Sequence, residues 1–429
     1  MTKATASTYP DVARVRQDLH RQAIGDVPHA VRSALAPLAI EALTRPGETV
    51  AVAVGSRGIS AIDAVVGGCI EFLRARRLEP FIVPAMGSHG GATAEGQRDV
   101  LQKLGISQAR LGVPIAPDMA VDCIDRLANG TRIFFSRQAL AADHIVVINR
   151  VKPHTKFRAD IESGLCKMLT IGLGKADGAT EFHRQAIRHS FGIIEDAARL
   201  VLGRCRVLFA LALLEDGYGD LALVKALLPA DILTGEKELL KTALDMLGRI
   251  PFDDIDILVV DRFGKDISGI GMDSNVTGRH RDLVGDFFSA PHVKRIFVRD
   301  LSSGSDGNGN GIGLADVTTR RLVDALDLEK TYRNSVTAIS PEKAAIPLTV
   351  ESDREAIAIC AATAGLANPS AARLVRILDT KHLEVVQVSA ALAKEVHAHR
   401  NLHQESAWAP MEFDHQGNLP PFAAIRSGR

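Results

Sequence analysis

Two histidines stand in settings suited to proton transfer. His89 lies in AMGSHGGAT, between Ser88 and two glycines, where small neighbours leave an imidazole accessible. His154 lies in VKPHTKF, behind a proline that stiffens its loop. Imidazole takes and delivers protons near neutral pH. A reaction that inverts a carbon centre needs an acid/base group on each face of its substrate, and two histidines on separate loops can meet that need. Thirteen residues after His154, ESGLCKMLTIGLGK carries Lys167, which on local grounds reads as a solvated lysine on a loop or early helical turn. Cys166 beside it has no electropositive cue beyond that lysine and reads as a small buried residue. EFHRQAIRHSFG adds His183 and His189. Their spacing of six misses the i, i+4 pattern of a two-histidine metal site on one helix, though either could serve as a lone ligand. Finally, GSRG groups Gly55, Ser56 and Arg57. Backbone N–H groups ahead of a helix can hold phosphate, and a guanidinium can hold phosphate or carboxylate. Each segment taken alone also reads as a turn with an incidental polar residue.

The elements around these segments give the grouping its meaning. ETVAVAV, EPFIVPA, DHIVVIN, RVLFALALL, IDILVVD and VKRIFVRD read as strands, and longer helical patterns separate them. Such alternation indicates βαβ units and mostly parallel sheets, an α/β fold class. In open α/β sheets, ligands bind outside the carboxyl ends of the strands. Four of these ends carry polar, glycine-marked loops: residues 55–58, 87–91, 150–156 and 263–269. A division near GRIPFDD, where proline and acidic residues precede a new strand, gives an expected first domain of 1–250 and a second of 251–429. The tail HQESAWAPMEFDHQGNLPPF is rich in turn residues and is either irregular or packed back on the body.

Composition narrows the class. The 429 residues are 46% hydrophobic and 24% charged, enough apolar mass for more than one core. Lys plus Arg and Asp plus Glu balance at 51 each, without the basic excess of a dedicated nucleic-acid binder. No apolar stretch is long enough to cross a membrane, and no secretory leader is legible. Five scattered cysteines with no CxxC pair imply neither a disulfide framework nor a zinc site, so a reduced, cytoplasmic protein is expected. GxGxxG, GxxxxGK[ST] and GxSxG are absent. Asp306, Asn308, Asn310 and Gly311 copy the start of an EF-hand loop, but position twelve is Val317 where a bidentate Glu is required.

Taken in order, GSRG, GSHGG, KPHTKF…SGLCK, FHR and DRFGKDISGIGMDSNVTGR resemble the nickel-pincer-nucleotide isomerases, the family of lactate racemase. The resemblance spans most of the chain. It rests on the ordered set, because each motif is short. It implies two α/β domains with the active site in the cleft between them. It also implies a pyridinium mononucleotide whose two sulfurs and ring carbon bind nickel, joined by a thioamide to a lysine, with a histidine completing the metal's coordination. Carried over by position, Lys167 is the tether and His183 the nickel ligand. His89 and His154 are the acid/base pair, and Gly55, Ser56 and Arg57 contact the cofactor phosphate and the substrate carboxylate. The implied reaction moves hydride from the α-carbon of a 2-hydroxy acid and returns it to the other face.

The chain departs from the pattern at three places. The interval from His154 to Lys167 is long, which keeps Lys152, Lys156 and Lys175 as alternative tethers. Val54 replaces an expected acidic residue. Gly271 and Ser274 stand where lactate racemases carry a Gln and a Lys that hold the substrate. The expected substrate is therefore a hydroxy acid other than lactate, a carbohydrate acid among the candidates, with Arg57, Lys265, Asn275 and Arg279 as its anchors. Expected partners are that substrate and the proteins that synthesise the cofactor, with no nucleic acid or membrane; homo-oligomerisation is left open. The competing readings are a different redox or isomerase activity on the same scaffold, and a non-enzymatic nucleotide- or metabolite-binding protein.

Overall fold

The structure, a computed structural model, describes residues 9–56, 58–283 and 286–422. The chain divides into two compact units: Arg21–Leu247 forms one, and the residues before and after it form the other. The strands in chain order are β1 (Asp11–Gln17), β2 (Thr49–Val54), β3 (Glu79–Pro84), β4 (Val121–Arg126), β5 (Arg132–Ser136), β6 (His144–Arg150), β7 (Val207–Glu215) and β8 (Leu221–Leu227). There follow β9 (Asp254–Phe263), β10 (Arg279–His280), β11 (Phe287–Phe288), β12 (His292–Leu301), β13 (Val317–Thr319) and β14 (Leu348–Val350). Last come β15 (Leu374–Ile377), β16 (Val385–Ser389), β17 (Leu402–Gln404) and β18 (Ala409–Pro410).

The unit Arg21–Leu247 is built on a five-stranded sheet in the order β3-β2-β6-β7-β8. Its first four strands run parallel and β8 returns antiparallel beside β7. TVAVAV and VLFALALLE are apolar on both faces, the pattern of central strands covered on each side. Helices Ile62–Arg74, Ile193–Arg204 and Ile232–Met246 turn their apolar stripes inward. Val52, Val54, Val65, Cys69, Ile82, Val146, Ile148 and Phe209 are among the side chains of one continuous core. β4 and β5 form a separate hairpin.

The other unit contains a nine-stranded sheet. Its centre is the parallel set β14-β13-β12-β9-β15, and β16, β1 and β17 continue it antiparallel. Residues 9–20, expected with the first domain, therefore part company with it at β1. The reason is legible in DVARVRQ, whose alternation buries Val12, Ala13 and Val15 and pairs Val15 with Val386. The turn-rich tail also packs back: β18 pairs with β1, and Leu419 and Pro420 are gripped through their carbonyls by Arg299 and Arg376. Those two arginines share the buried carboxylate of Asp261, and Arg299 also meets buried Asp353. The 304–316 loop carries no calcium-like arrangement: Asp306 pairs with Lys330, and Asn308 and Asn310 donate to Asn334. Among the described residues no helix is long and apolar enough to cross a membrane.

The ion cluster gives a stability prediction. Removing one partner of a buried pair leaves uncompensated charge, worth about 3–5 kcal/mol, whereas an exposed i, i+4 pair contributes about 0.5 kcal/mol or less. Asp261→Ala should therefore lower the unfolding free energy in urea by roughly 3–5 kcal/mol, and Glu329→Ala, which breaks the exposed Arg333 pair, should change it by under ~0.5 kcal/mol.

Candidate active site

The polar loops of the first unit meet at the carboxyl ends of β2, β3 and β6. Gly55 follows β2 and is buried against Met168 and Asn149; a Cβ there would lie 3.4 Å from the Met168 sulfur. The next residue, Ser56, hydrogen-bonds His89 Nδ1 and so joins the β2 loop to the β3 loop. Arg57 lies outside the described residues. His89 is exposed, and the glycines after it let the loop fold onto the next helix. Gly90 has φ +67, and a Cβ there would lie 2.5 Å from the Gly96 carbonyl carbon.

Beneath this loop sits Lys175, one of the alternative tethers. It is 1% exposed, and its ammonium donates to the Pro84 carbonyl and to Gln97 Oε1. Gln97 in turn donates to the Gly87 and His89 carbonyls. Burial lowers the Lys175 pKa to about 8, against the opposing pull of Asp118. Lys175 thus supports the His89 loop from below.

After β6 the chain places His154 with several restraints. Its backbone N–H donates to Glu162 Oε2 at 2.5 Å, while Ala159 N–H donates to the other Glu162 oxygen. Glu162 is buried, which raises its pKa, and these backbone donors work against that shift. Phe157 stacks on the imidazole with centroids 4.4 Å apart, and Phe191 stacks on Phe157 at 4.2 Å. His183 meets Phe191 edge-on at 6.1 Å. The other candidate metal ligand, His189, is exposed at the end of the helix Lys175–His189.

Lys167 reaches the same imidazole: its Nζ lies 2.7 Å from His154 Nε2. On the opposite ring nitrogen, Lys156 N–H donates to Nδ1 at 3.0 Å. A neutral ring that accepts at Nδ1 carries its proton on Nε2. Lys167 Nζ therefore faces the ring nitrogen that the Lys156 amide leaves open. Of the remaining alternative tethers, Lys156 is buried with its ammonium 5.8 Å from the Phe191 centroid, and Lys152 bridges to Ser163 through its backbone.

What holds Lys167 is a buried carboxylate. Glu236, from the helix Ile232–Met246, accepts from Cys166 N–H at 2.8 Å at the start of the short helix Leu165–Lys167. A Cβ on Gly164 would lie 2.2 Å from Glu236 Oε1, so this close approach needs glycine. Asn149 at the end of β6 donates to the Gly164 carbonyl. Burial raises the Glu236 pKa to about 7, and the Cys166 contacts oppose the rise. Burial also pushes the Cys166 thiol well up, consistent with a packed, unreactive side chain.

The second-unit candidates are placed differently. Asn275 is buried and bonds Asp273. Arg279 is 8% exposed, with its guanidinium on Asp316 and on the Leu314, Val293 and Lys294 carbonyls, so it braces the sheet. Lys265 donates to the Gly269 carbonyl within its own loop. Glu162, Glu236, Phe157 and Phe191 were not singled out from the sequence. Glu162 and Phe157 lie within eight residues of His154 in the same loop and Phe191 two residues beyond His189, so each had a local signal; Glu236 comes from a distant segment.

No family model matches the chain, and no curated protein matches it. A structural match is the lactate racemase apoprotein from Thermoanaerobacterium thermosaccharolyticum, with a TM-score of 0.51 and 12% identity, covering 86% of this chain and 98% of that one. At that identity the match establishes the fold alone: the chain has a lactate racemase-like α/β fold. Among the described residues no group of three or more His, Cys, Asp or Glu side chains could hold a metal ion.

Glu236 links the site to pH. Its folded pKa lies above its ordinary 4.5, so between about 4.5 and 7 the folded chain keeps a proton that the unfolded chain releases. Stability contributed by this group is therefore present at low pH and lost as pH rises through that window, by roughly 3 kcal/mol in all. Glu236→Gln keeps the acceptor oxygen without the charge. The melting temperature of the variant relative to wild type should climb from pH 5 to about pH 7 and level off above it, whereas a pH-independent difference would show that Glu236 does not titrate there.

Proposed function

We propose that this chain is a racemase or epimerase of a 2-hydroxy acid other than lactate, working with a nickel-pincer nucleotide carried on Lys167. The observation that carries this reading is the Lys167–His154 contact, made within the aromatic stack that also holds His183.

The donor set fits the group. A cofactor that brings three of its own atoms to nickel asks the protein for one imidazole and one amine. Lys167 offers the amine, and His183 is the candidate fourth ligand, imidazole being a common nickel ligand. Gly55 and Ser56 are the candidate phosphate contacts, with Arg57 next to them in sequence. When bound, the group supplies a hydride acceptor.

The chain supplies proton transfer and positioning. His154 is held by Glu162, the Lys156 amide and Phe157, so its ring is oriented before substrate arrives. In the proposed cycle one imidazole takes the substrate hydroxyl proton, and the other returns a proton when the carbinol re-forms on the opposite face. Ser56 and the Gln97–Lys175 support hold His89 for its share of that exchange. Lys265, Asn275 and Arg57 remain candidate substrate contacts. We place the protein in the cytoplasm, where the cofactor-synthesis proteins would load it.

The test is inversion of chiral 2-hydroxy acids, aldonic acids included, by protein produced with those synthesis proteins. Turnover per bound nickel should fall by about 10²–10⁴-fold in His89→Ala and in His154→Ala. Full turnover in both variants would exclude the paired-histidine mechanism.

A further inference from the structure

The second unit contains a cavity of about 520 Å³. It opens where β9, β12 and β15 end, three parallel neighbours whose carboxyl edge is the ligand-binding edge of an open α/β sheet. Lys265, Asn275 and Arg279 do not line it. Leu419, Pro421 and Phe422 of the tail form one wall, clamped in place by the Arg299 and Arg376 contacts described above.

Two polar side chains lining this cavity are rigidly held yet solvent-accessible. The first is Asp266. Ser302 donates to its Oδ1, and its carboxylate is wedged between two glycines. A Cβ on Gly264 would lie 2.6 Å from Oδ1, and one on Gly304 would lie 2.6 Å from Oδ2. The second is His382. Asp379, only 2% exposed, accepts from His382 Nδ1 at 2.9 Å and from the backbone N–H groups of Lys381 and His382. With Nδ1 donating, the neutral ring has an acceptor at Nε2, and the side chain is 55% exposed. Two cations complete the lining. Among the described residues neither Arg262 nor Lys381 forms a side-chain hydrogen bond or ion pair, whereas Asp300 is matched by Arg321 and Asp261 by Arg299 and Arg376.

We propose that this cavity binds a small polyhydroxylated carboxylate, with Asp266 and His382 receiving its hydroxyls and Arg262 and Lys381 receiving its carboxylate. A carboxylate fixed by its neighbours is a directional acceptor for ligand hydroxyls. The buried Asp379 fixes the His382 ring, so Nε2 is pre-oriented for a second hydroxyl. The uncommitted guanidinium and ammonium supply the charge that an acid requires and a neutral sugar does not. The ligand class coincides with the substrate class proposed above, but the site is argued from the second unit alone and needs no cofactor at Lys167.

The probe is sodium gluconate, titrated calorimetrically into the full-length chain without cofactor, with hexanoate and glucose as controls. Gluconate should bind at least about tenfold more tightly than either control, because each lacks one of the two recognised groups. Asp266→Asn and His382→Gln should each weaken gluconate by about tenfold or more while the chain still unfolds in one cooperative transition, Asp379 keeping its two backbone N–H partners. Lys381→Gln, at another exposed position, should weaken gluconate and leave glucose unaffected. Gluconate binding that survives all three substitutions, or the absence of gluconate binding by the wild-type chain, would overturn the proposal. Because the measurement uses unloaded protein, neither result depends on whether Lys167 carries a nucleotide.

Discussion

The arrangement around the first unit's strand ends depends on one contact, the Lys167 amine against His154 Nε2. One partner is held by its own loop, the other by a distant helix. His154 is fixed by Glu162 and by the Lys156 amide, and Lys167 by a short helix whose first N–H groups rest on Glu236. The cost of burying Glu236 is offset only while those N–H donors face it, and they face it only because residue 164 has no side chain. Glycine, carboxylate and lysine therefore form one mechanical unit, and Asn149 couples it to the end of β6.

The same logic recurs in the second unit with other residues. Asp261 holds two arginines, and those arginines hold the tail. The tail then walls the cavity into which Asp266 and His382 are set. In both units buried charge positions groups at the carboxyl edge of a parallel sheet. The sheets themselves follow from plain apolar patterning, while the polar contacts at their edges determine which atoms face a ligand.

Legibility in the sequence followed that division. Six strands were readable because their apolar runs are long and bounded by turn residues. The loops at their ends were readable because glycine, proline and histidine cluster there. β1 was assigned to the wrong part of the chain: its alternation is clear, but its partners lie some 370 residues away in sequence, and a local pattern does not name a partner. The tail had the same difficulty. Glu236 reaches the site from a distant helix, and nothing in its own neighbourhood marks it. Lys175 was an alternative tether only through the family resemblance, and only burial beneath the β3 loop reveals its supporting role. Arg279 looked like a substrate anchor, whereas its guanidinium is committed to Asp316 and three carbonyls. Asp266 and His382 stand in GKDISG and LDTKH, and what distinguishes them is their packing against Gly264, Gly304 and Asp379.

The most direct test of the account is the intact mass and nickel content of the chain produced together with the cofactor-synthesis proteins, beside its Lys167→Ala variant. The account predicts a nucleotide-sized adduct with roughly stoichiometric nickel on the wild-type chain, both lost in the variant. An unmodified, nickel-free chain from cells that load a lactate racemase would contradict it, as would an adduct that survives the loss of Lys167.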